Sequence, residues 1–136
     1  MKYLILLLLC SPAMAQNLAE SAPGQYGSAT DSATSCATNP HDLGFQTSPP
    51  HLILTWPQPK DDGVGQPRTL ERYDIGAYDA QTLTLREEGD FRPDRPGGRI
   101  WVMQMTENPP GYCWRRPDWP QVRCEDQQLR CEKPTS

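Results

Sequence analysis

Short runs of alternating apolar and polar residues fill the chain from residue 51 onward. In the first run Leu52, Leu54 and Trp56 fall on one face, and Leu83 and Leu85 do the same in a later run. A period of two indicates β-strands, because successive side chains of an extended chain point to opposite sides. Clusters of Pro, Gly, Asn and Asp separate the runs, and such clusters are typical of turns between strands. No run has the period of a long helix, so the pattern predicts an all-β protein.

The runs predict six to seven short antiparallel strands in a single small domain that spans residues 51–136. The segment Ile100–Thr106 is apolar on both faces, which favours a central position in a sheet. Prolines stand near the ends of the runs, where a missing N–H group does not interrupt the ladder. The expected fold is a small disulfide-stapled sandwich or a partly open barrel. The predicted strands are 51–57, 70–77, 82–86, 100–106, 112–116 and a hairpin within 122–132.

Residues 16–50 differ in composition and are dominated by Ala, Ser, Thr, Gly, Asn and Gln. The large apolar side chains in this segment are Leu18, Tyr26, Leu43 and Phe45. So little apolar surface gains too little from burial to offset the entropy of ordering the chain. We therefore expect a flexible, irregular polar arm at 16–50, tied to the domain through Cys36, with at most a short helix at 17–21.

The first 15 residues have the three parts of an export signal. Lys2 provides the positive charge, Leu4–Leu9 the apolar segment, and Ala13-Met14-Ala15 the small residues of a cleavage site. The apolar run is far shorter than the about 20 residues that cross a membrane, so we expect no transmembrane segment. Lipid anchoring at Cys10 is disfavoured because the residue before it is bulky. These features predict a signal peptide at 1–15 and a periplasmic or secreted protein.

Four cysteines follow the predicted signal peptide, namely Cys36, Cys113, Cys124 and Cys131. An even number in an exported chain predicts two disulfides, and the sequence lacks the Cys-x-x-Cys spacing typical of metal sites. Three pairings are open. Alternation on both sides of 126–128 resembles a hairpin that would place Cys124 opposite Cys131, which favours Cys36–Cys113 as the second bond. We expect no metal and no cofactor.

Composition and charge exclude several classes of protein. Only 16 of the 121 residues after position 15 are Leu, Ile, Val or Phe, well below the usual content of a globular domain. The formal net charge of −4 repels nucleic acid and anionic membranes at long range. A chain of 136 residues with so small a core is not a multidomain enzyme, a membrane-spanning protein or a basic nucleic-acid binder.

Candidate catalytic groups are few. The chain contains no nucleophile-elbow, phosphate-loop or zinc-hydrolase motif. His41 beside Asp42 pairs an imidazole with a carboxylate, but a solvated turn is the simpler interpretation of this polar segment. Carboxylates at 87–94 have the chemistry for acid–base catalysis or for binding a hard cation. Arginines interspersed among them favour a solvated, self-neutralising loop, so we assign no catalytic residue.

One segment, 109–120, has the composition of a binding surface. It contains Tyr112, Trp114, Arg115, Arg116 and Trp119 between prolines and next to a cysteine. Tyr, Trp and Arg most often carry interface energy, and a stiff backbone lowers the cost of ordering on association. The alternative is that these rings replace the missing aliphatic side chains in the core. The pattern leaves both interpretations open.

These features predict a small exported binding protein that docks on another protein in the cell envelope or outside the cell, as an inhibitor or an immunity-type protein does. A carbohydrate-binding module is the first alternative, with Trp114 and Trp119 as stacking platforms for sugar rings. A small secreted enzyme and a component of an envelope assembly are the others.

Overall fold

The structure, a computed structural model, describes residues 18–61, 67–94 and 98–132. The predicted signal peptide, Cys10 and the predicted cleavage site lie outside these residues, as does most of the predicted turn at 61–65. Within the described residues, no helix is long and apolar enough to cross a membrane.

Eight antiparallel strands form a closed barrel in which each strand pairs with its sequence neighbours and β8 pairs with β1. The all-β prediction is confirmed, with one or two strands more than expected and with a barrel that is fully closed. The elements are α1 (Leu18–Ser21), β1 (Gly24–Ser28), a 3-10 turn (Ser32–Thr34), β2 (His41–Thr47), β3 (Pro50–Lys60), β4 (Arg68–Tyr78), β5 (Thr82–Glu87), β6 (Ile100–Glu107), β7 (Pro110–Arg115) and β8 (Glu125–Arg130).

The N-terminal segment differs from the expected arm, because β1 and β2 lie within it and both belong to the barrel. Tyr26 and Leu43 point inward and are buried, so two large side chains suffice to anchor two strands. Gly27 allows the following loop to fold back against β1, since a Cβ there would lie 2.1 Å from the backbone nitrogen of Cys36. The small residues that argued for disorder instead permit close packing of backbone against backbone.

Both disulfides form, but the favoured pairing was wrong: Cys36 bonds Cys131 and Cys113 bonds Cys124. The alternating segment at 122–132 contains the single strand β8, so Cys124 and Cys131 lie beyond its opposite ends. Asp126, taken for part of a hairpin turn, has a positive φ of 54° inside this strand, where the register with β7 shifts. The irregularity is therefore a bulge. Two disulfides indicate an oxidising location outside the cytoplasm.

The two ends of the barrel are built differently. Helix α1 covers one end, where the β2–β3, β4–β5 and β6–β7 turns also lie, and its Leu18 is buried in the core. The Tyr26 hydroxyl donates to the carbonyl of Ala22 at 2.6 Å, and Arg130 donates to the carbonyl of Ser21 at 2.7 Å. We call this the closed end. The opposite, open end carries the connections β1–β2, β3–β4, β5–β6 and β7–β8.

Candidate functional site

A cavity of about 940 Å³ occupies the open half of the barrel. Strand alternation sends every second side chain inward, and the register keeps these positions on one face: Leu54 pairs with Glu71, Leu85 with Trp101 and Met103 with Trp114. The loops of the open end form the mouth. Cavities of this size suit a small molecule.

Besides Phe91 at the mouth, five tryptophan and tyrosine side chains line the cavity, and we call these five the aromatic wall: Trp56, Tyr73, Trp101, Tyr112 and Trp114. Trp114 is at the centre of this group, with ring centroids 5.6 Å from Tyr73, 6.2 Å from Trp101 and 5.8 Å from Tyr112. The last two pairs meet edge to face, which is a favourable arrangement for aromatic rings. The wall therefore holds large rings in fixed positions around an unfilled space.

His41 and Tyr112 form a neutral pair at the floor of the cavity. The His41 Nε2 atom lies 2.5 Å from the Tyr112 hydroxyl. Burial, together with the charge of Lys60, lowers the pKa of His41 to about 4. Burial raises the pKa of Tyr112 well above its ordinary value, and the negative charge of Glu71 adds to the rise. Both groups are consequently uncharged at neutral pH.

Two polar atoms of the cavity-lining residues are buried without a hydrogen-bond partner within the described part of the chain. They are Nδ1 of His41 and Nε1 of Trp56. Their residues are 1% and 5% exposed. Buried polar groups without partners are rare in finished cores and call for an explanation such as a bound molecule or water.

Four charged side chains lie between the aromatic wall and the mouth, and we call them the charged quartet: Lys60, Arg68, Glu71 and Glu87. Glu71 is only 7% exposed, and its carboxylate accepts from Lys60 at 2.7 Å and from the Tyr73 hydroxyl at 2.8 Å. Arg68 pairs with Glu87 at 3.0 Å. A buried carboxylate needs such donors, so the quartet is balanced in charge and internally bonded.

The end of β5 and the β5–β6 connection form part of the mouth and contain the four carboxylates considered above for catalysis. Each of the four is paired with an arginine: Glu87 with Arg68, Glu88 with Arg72, Asp90 with Arg92, and Asp94 with Arg86 and Arg99. The hydrogen bond from Arg92 lowers the pKa of Asp90 to about 2. Phe91 lines the mouth while remaining 95% exposed. The loop thus has the self-neutralising pattern that its sequence suggests.

The structure distributes the predicted binding segment over three environments. Tyr112 and Trp114 belong to the aromatic wall inside the barrel. Arg116 is buried with its guanidinium 3.4 Å from the Trp101 ring centroid, and it donates to the carbonyls of Gly98 and Ile100. Arg115 donates to the carbonyl of Trp119, whose ring is covered by Arg123. Only Tyr112 and Trp114 share one site, and a binding role for the segment stays a prediction.

The sequence interpretation did not single out three members of the aromatic wall, Trp56, Tyr73 and Trp101, as binding residues. It also missed Lys60 and Glu71. One signal was present: Glu71 falls on the same strand face as Tyr73, two residues away. A carboxylate on the inward face of a predicted strand indicates an interior that is not purely apolar.

A second cluster lies on the outer wall and has the residue types of a metal site. The candidate ligand atoms of His51, Asp74 and Glu88 all lie within 4.8 Å of one another. The contacts already present account for the arrangement, since His51 Nε2 is 2.7 Å from Asp74 and Arg72 pairs with Glu88 at 3.2 Å. We assign no ion to it.

No protein-family model, no curated protein and no solved structure matches the chain. Its function is therefore inferred from the site itself.

Proposed function

We propose that this is an exported protein, periplasmic or secreted, that binds a small amphipathic molecule inside its barrel. The observation that carries the proposal is the open cavity of about 940 Å³ behind the aromatic wall. Binding pockets are of this size and combine apolar rings with a few placed polar groups. The ligand's apolar part would contact the rings, and its polar part would face the charged quartet.

The unfilled space itself supports a binding role. Side chains can fill the interior of an eight-stranded barrel completely, and doing so adds dispersion contacts that stabilise the fold. In this chain the closed end is filled, by Leu18, Leu43 and Leu52 among others. A domain with few aliphatic residues leaves half of its interior open, which costs stability and is explained if a ligand occupies it.

Protein docking is the second candidate, and one observation favours it. Phe91 is 95% exposed at the mouth, and exposed aromatic side chains often anchor interfaces. An inhibitor or immunity-type protein with this fold would engage its partner through the loops of the open end. A sugar would use the same cavity, with Trp114 as the stacking ring.

The test compares two tryptophans, one inside the cavity and one outside. Dansylamide, a small neutral aromatic probe, accepts energy from tryptophan emission when it binds nearby. Titration of the oxidised protein should give saturable energy transfer. Trp114→Leu should weaken binding about tenfold, because a lost ring contact costs about 1.4 kcal/mol.

Trp119→Leu is the matched control, since it removes the same side chain from a site that does not line the cavity. Its affinity for the probe should stay near that of the parent protein. Equal losses in both variants, or no saturable transfer in the parent, would contradict ligand binding in the cavity.

A further inference from the structure

We propose that the molecule bound in the cavity is an organic cation, with an apolar or aromatic body and a positively charged group. This inference rests on the proposed ligand-binding function and assigns the chemical class of the ligand. It follows from the negative charges around the mouth and from the cation–π contacts that tryptophans of the aromatic wall already make with Lys60 and Arg116.

The charges of the cavity fall into two layers. The charged quartet is neutral as a whole, with two cations and two carboxylates. Nearer the solvent, Arg92 is the only cation among the described lining residues. Four carboxylates lie beside it, and we call them the acidic rim: Asp31, Asp61, Asp90 and Asp126. A ligand that enters therefore passes a negative mouth before it reaches a neutral interior.

Two members of the acidic rim, Asp31 and Asp126, form no ion pair with a cation among the described residues. Asp31 accepts from the backbone N–H of Ala33 and from the Thr34 hydroxyl. Asp126 has no ion pair with any described cation. Their segments lie side by side, because Ser28 is in register with Gln128 and the N–H of Ala29 donates to Gln127. These two carboxylates are consequently available to a positive group on a ligand.

The aromatic wall has ring faces that attract cations. The Lys60 ammonium lies 4.2 Å from the Trp56 centroid, and the Arg116 guanidinium lies 3.4 Å from that of Trp101. Cation–π attraction is strongest over tryptophan. Among the described cations none covers Trp114, so a cationic ligand can contact this ring without displacing a cation of the protein.

An anionic ligand would meet less favourable groups. The two cations inside the cavity, Lys60 and Arg68, already pair with carboxylates at 2.7 Å and 3.0 Å. An entering anion would have to displace one of these carboxylates and to pass the acidic rim. The whole chain adds to the effect, because its net charge of −4 attracts cations at low ionic strength.

The experiment uses three dansyl probes of similar chain length that differ in charge: cationic dansylcadaverine, neutral N-pentyl dansylamide, and anionic dansyl-6-aminohexanoate. At low ionic strength the cation should bind the oxidised protein about tenfold more tightly than the neutral probe, and the anion more weakly than both. Salt should narrow these differences, because exposed charges are screened.

Asp31→Asn with Asp126→Asn tests whether the rim reads the charge. Asparagine keeps a side-chain oxygen for the N–H of Ala33, and it tolerates the positive φ of residue 126. The preference for the cation over the neutral probe should fall severalfold, while the affinity for the neutral probe stays constant. The control, Asp42→Asn with Glu107→Gln, removes the same charge from exposed positions away from the cavity.

The outcomes separate the two proposals. If all three probes bind equally, or if the rim variant keeps its full preference for the cation, the inference about charge is overturned and ligand binding stands. If no probe binds, ligand binding fails and the inference fails with it. A preference that the rim variant loses and the control keeps supports the inference.

Discussion

The closed and open ends of this barrel use the same strands for different purposes. At the closed end Leu18, Leu43 and Leu52 are at most 3% exposed and belong to one continuous hydrophobic core. At the open end rings and charged groups surround an unfilled cavity. A chain poor in aliphatic residues thus concentrates them at one end. Under the proposed function, stability and ligand binding depend on different halves of one small domain.

The largest expected effect comes from the disulfide that fastens the two terminal strands. Cys36–Cys131 joins residues 95 apart in sequence, whereas Cys113–Cys124 joins residues 11 apart. In the chain-entropy model, loops of these lengths contribute about 4.7 and about 2.8 kcal/mol. Replacing both cysteines of the longer bond by serine should therefore lower the free energy of unfolding by about 2 kcal/mol more than the same change in the shorter bond. Urea denaturation measures both losses.

We expect loss of the shorter disulfide to affect probe binding at the open end more than loss of the longer disulfide does. It bridges the connection between β7 and β8, and its two cysteines lie close in sequence to Trp114 and Asp126, which line the cavity. The Cys113→Ser, Cys124→Ser variant should keep most of its stability and lose probe binding. That result would show that the shorter disulfide supports the open end more than the fold as a whole. Equal destabilisation by the two pairs of substitutions would mean that the long bond does not act through the unfolded chain.

The second-largest effect on stability comes from comparing a buried residue of the closed end with a half-buried residue of the open end. Leu52 has no exposed surface and belongs to the filled half, so Leu52→Ala should cost about 3 kcal/mol of unfolding free energy. Trp114 borders the cavity and contacts Tyr73, Trp101 and Tyr112. Trp114→Leu should cost about 1.5 kcal/mol, because three ring contacts of about 0.5 kcal/mol each are lost. Thermal and urea unfolding give both values.

A loss of stability from Trp114→Leu as large as that from Leu52→Ala would contradict the division between a filled end and an open end. If Trp114→Leu destabilised the protein as much as Leu52→Ala, the aromatic wall would be part of the stabilising core, and the cavity would be a by-product of packing. Leu52→Ala serves also as a control for binding, because it should leave probe affinity unchanged wherever the variant is folded.

The difference between the ends also explains how far the sequence could be interpreted. Strands β3, β5 and β6 follow the predicted runs within a few residues because alternation is a local signal. Strand β1 contains one large apolar residue, Tyr26, and its place depends on pairing with β2 and β8, which no local pattern records. The bulge at Asp126 imitated a turn for the same reason, and the disulfide pairing followed that error.

The candidate site was predictable only in part. Tyr112 and Trp114 were singled out by their composition and do line the cavity. Trp56, Tyr73 and Trp101 could not be told from core residues, because inward alternation is identical for a filled and an unfilled interior. Whether space remains between inward side chains depends on the closure of the barrel, which is a global property.

The last expected effect is a pH dependence of stability that concerns His41, which borders both halves through Tyr26 and Trp56. Its pKa is lowered from 6.5 to about 4 by burial, so the unfolded chain takes up a proton between these values while the folded protein does not. Stability is therefore full above about pH 6.5 and is lost as the pH falls toward 4. Between about pH 7 and 5 the loss should be about 2 kcal/mol.

The variant His41→Gln should remove this dependence, whereas His51→Gln, at the other histidine, should keep it. Urea unfolding at several pH values measures the slope, and the ring-proton titration of His41 in the parent protein gives the same answer without a variant. A midpoint near 6.5 would mean that water reaches the imidazole from the cavity. The floor of the cavity would then belong to the hydrated open end, and the boundary between the two halves would lie deeper, toward Tyr26.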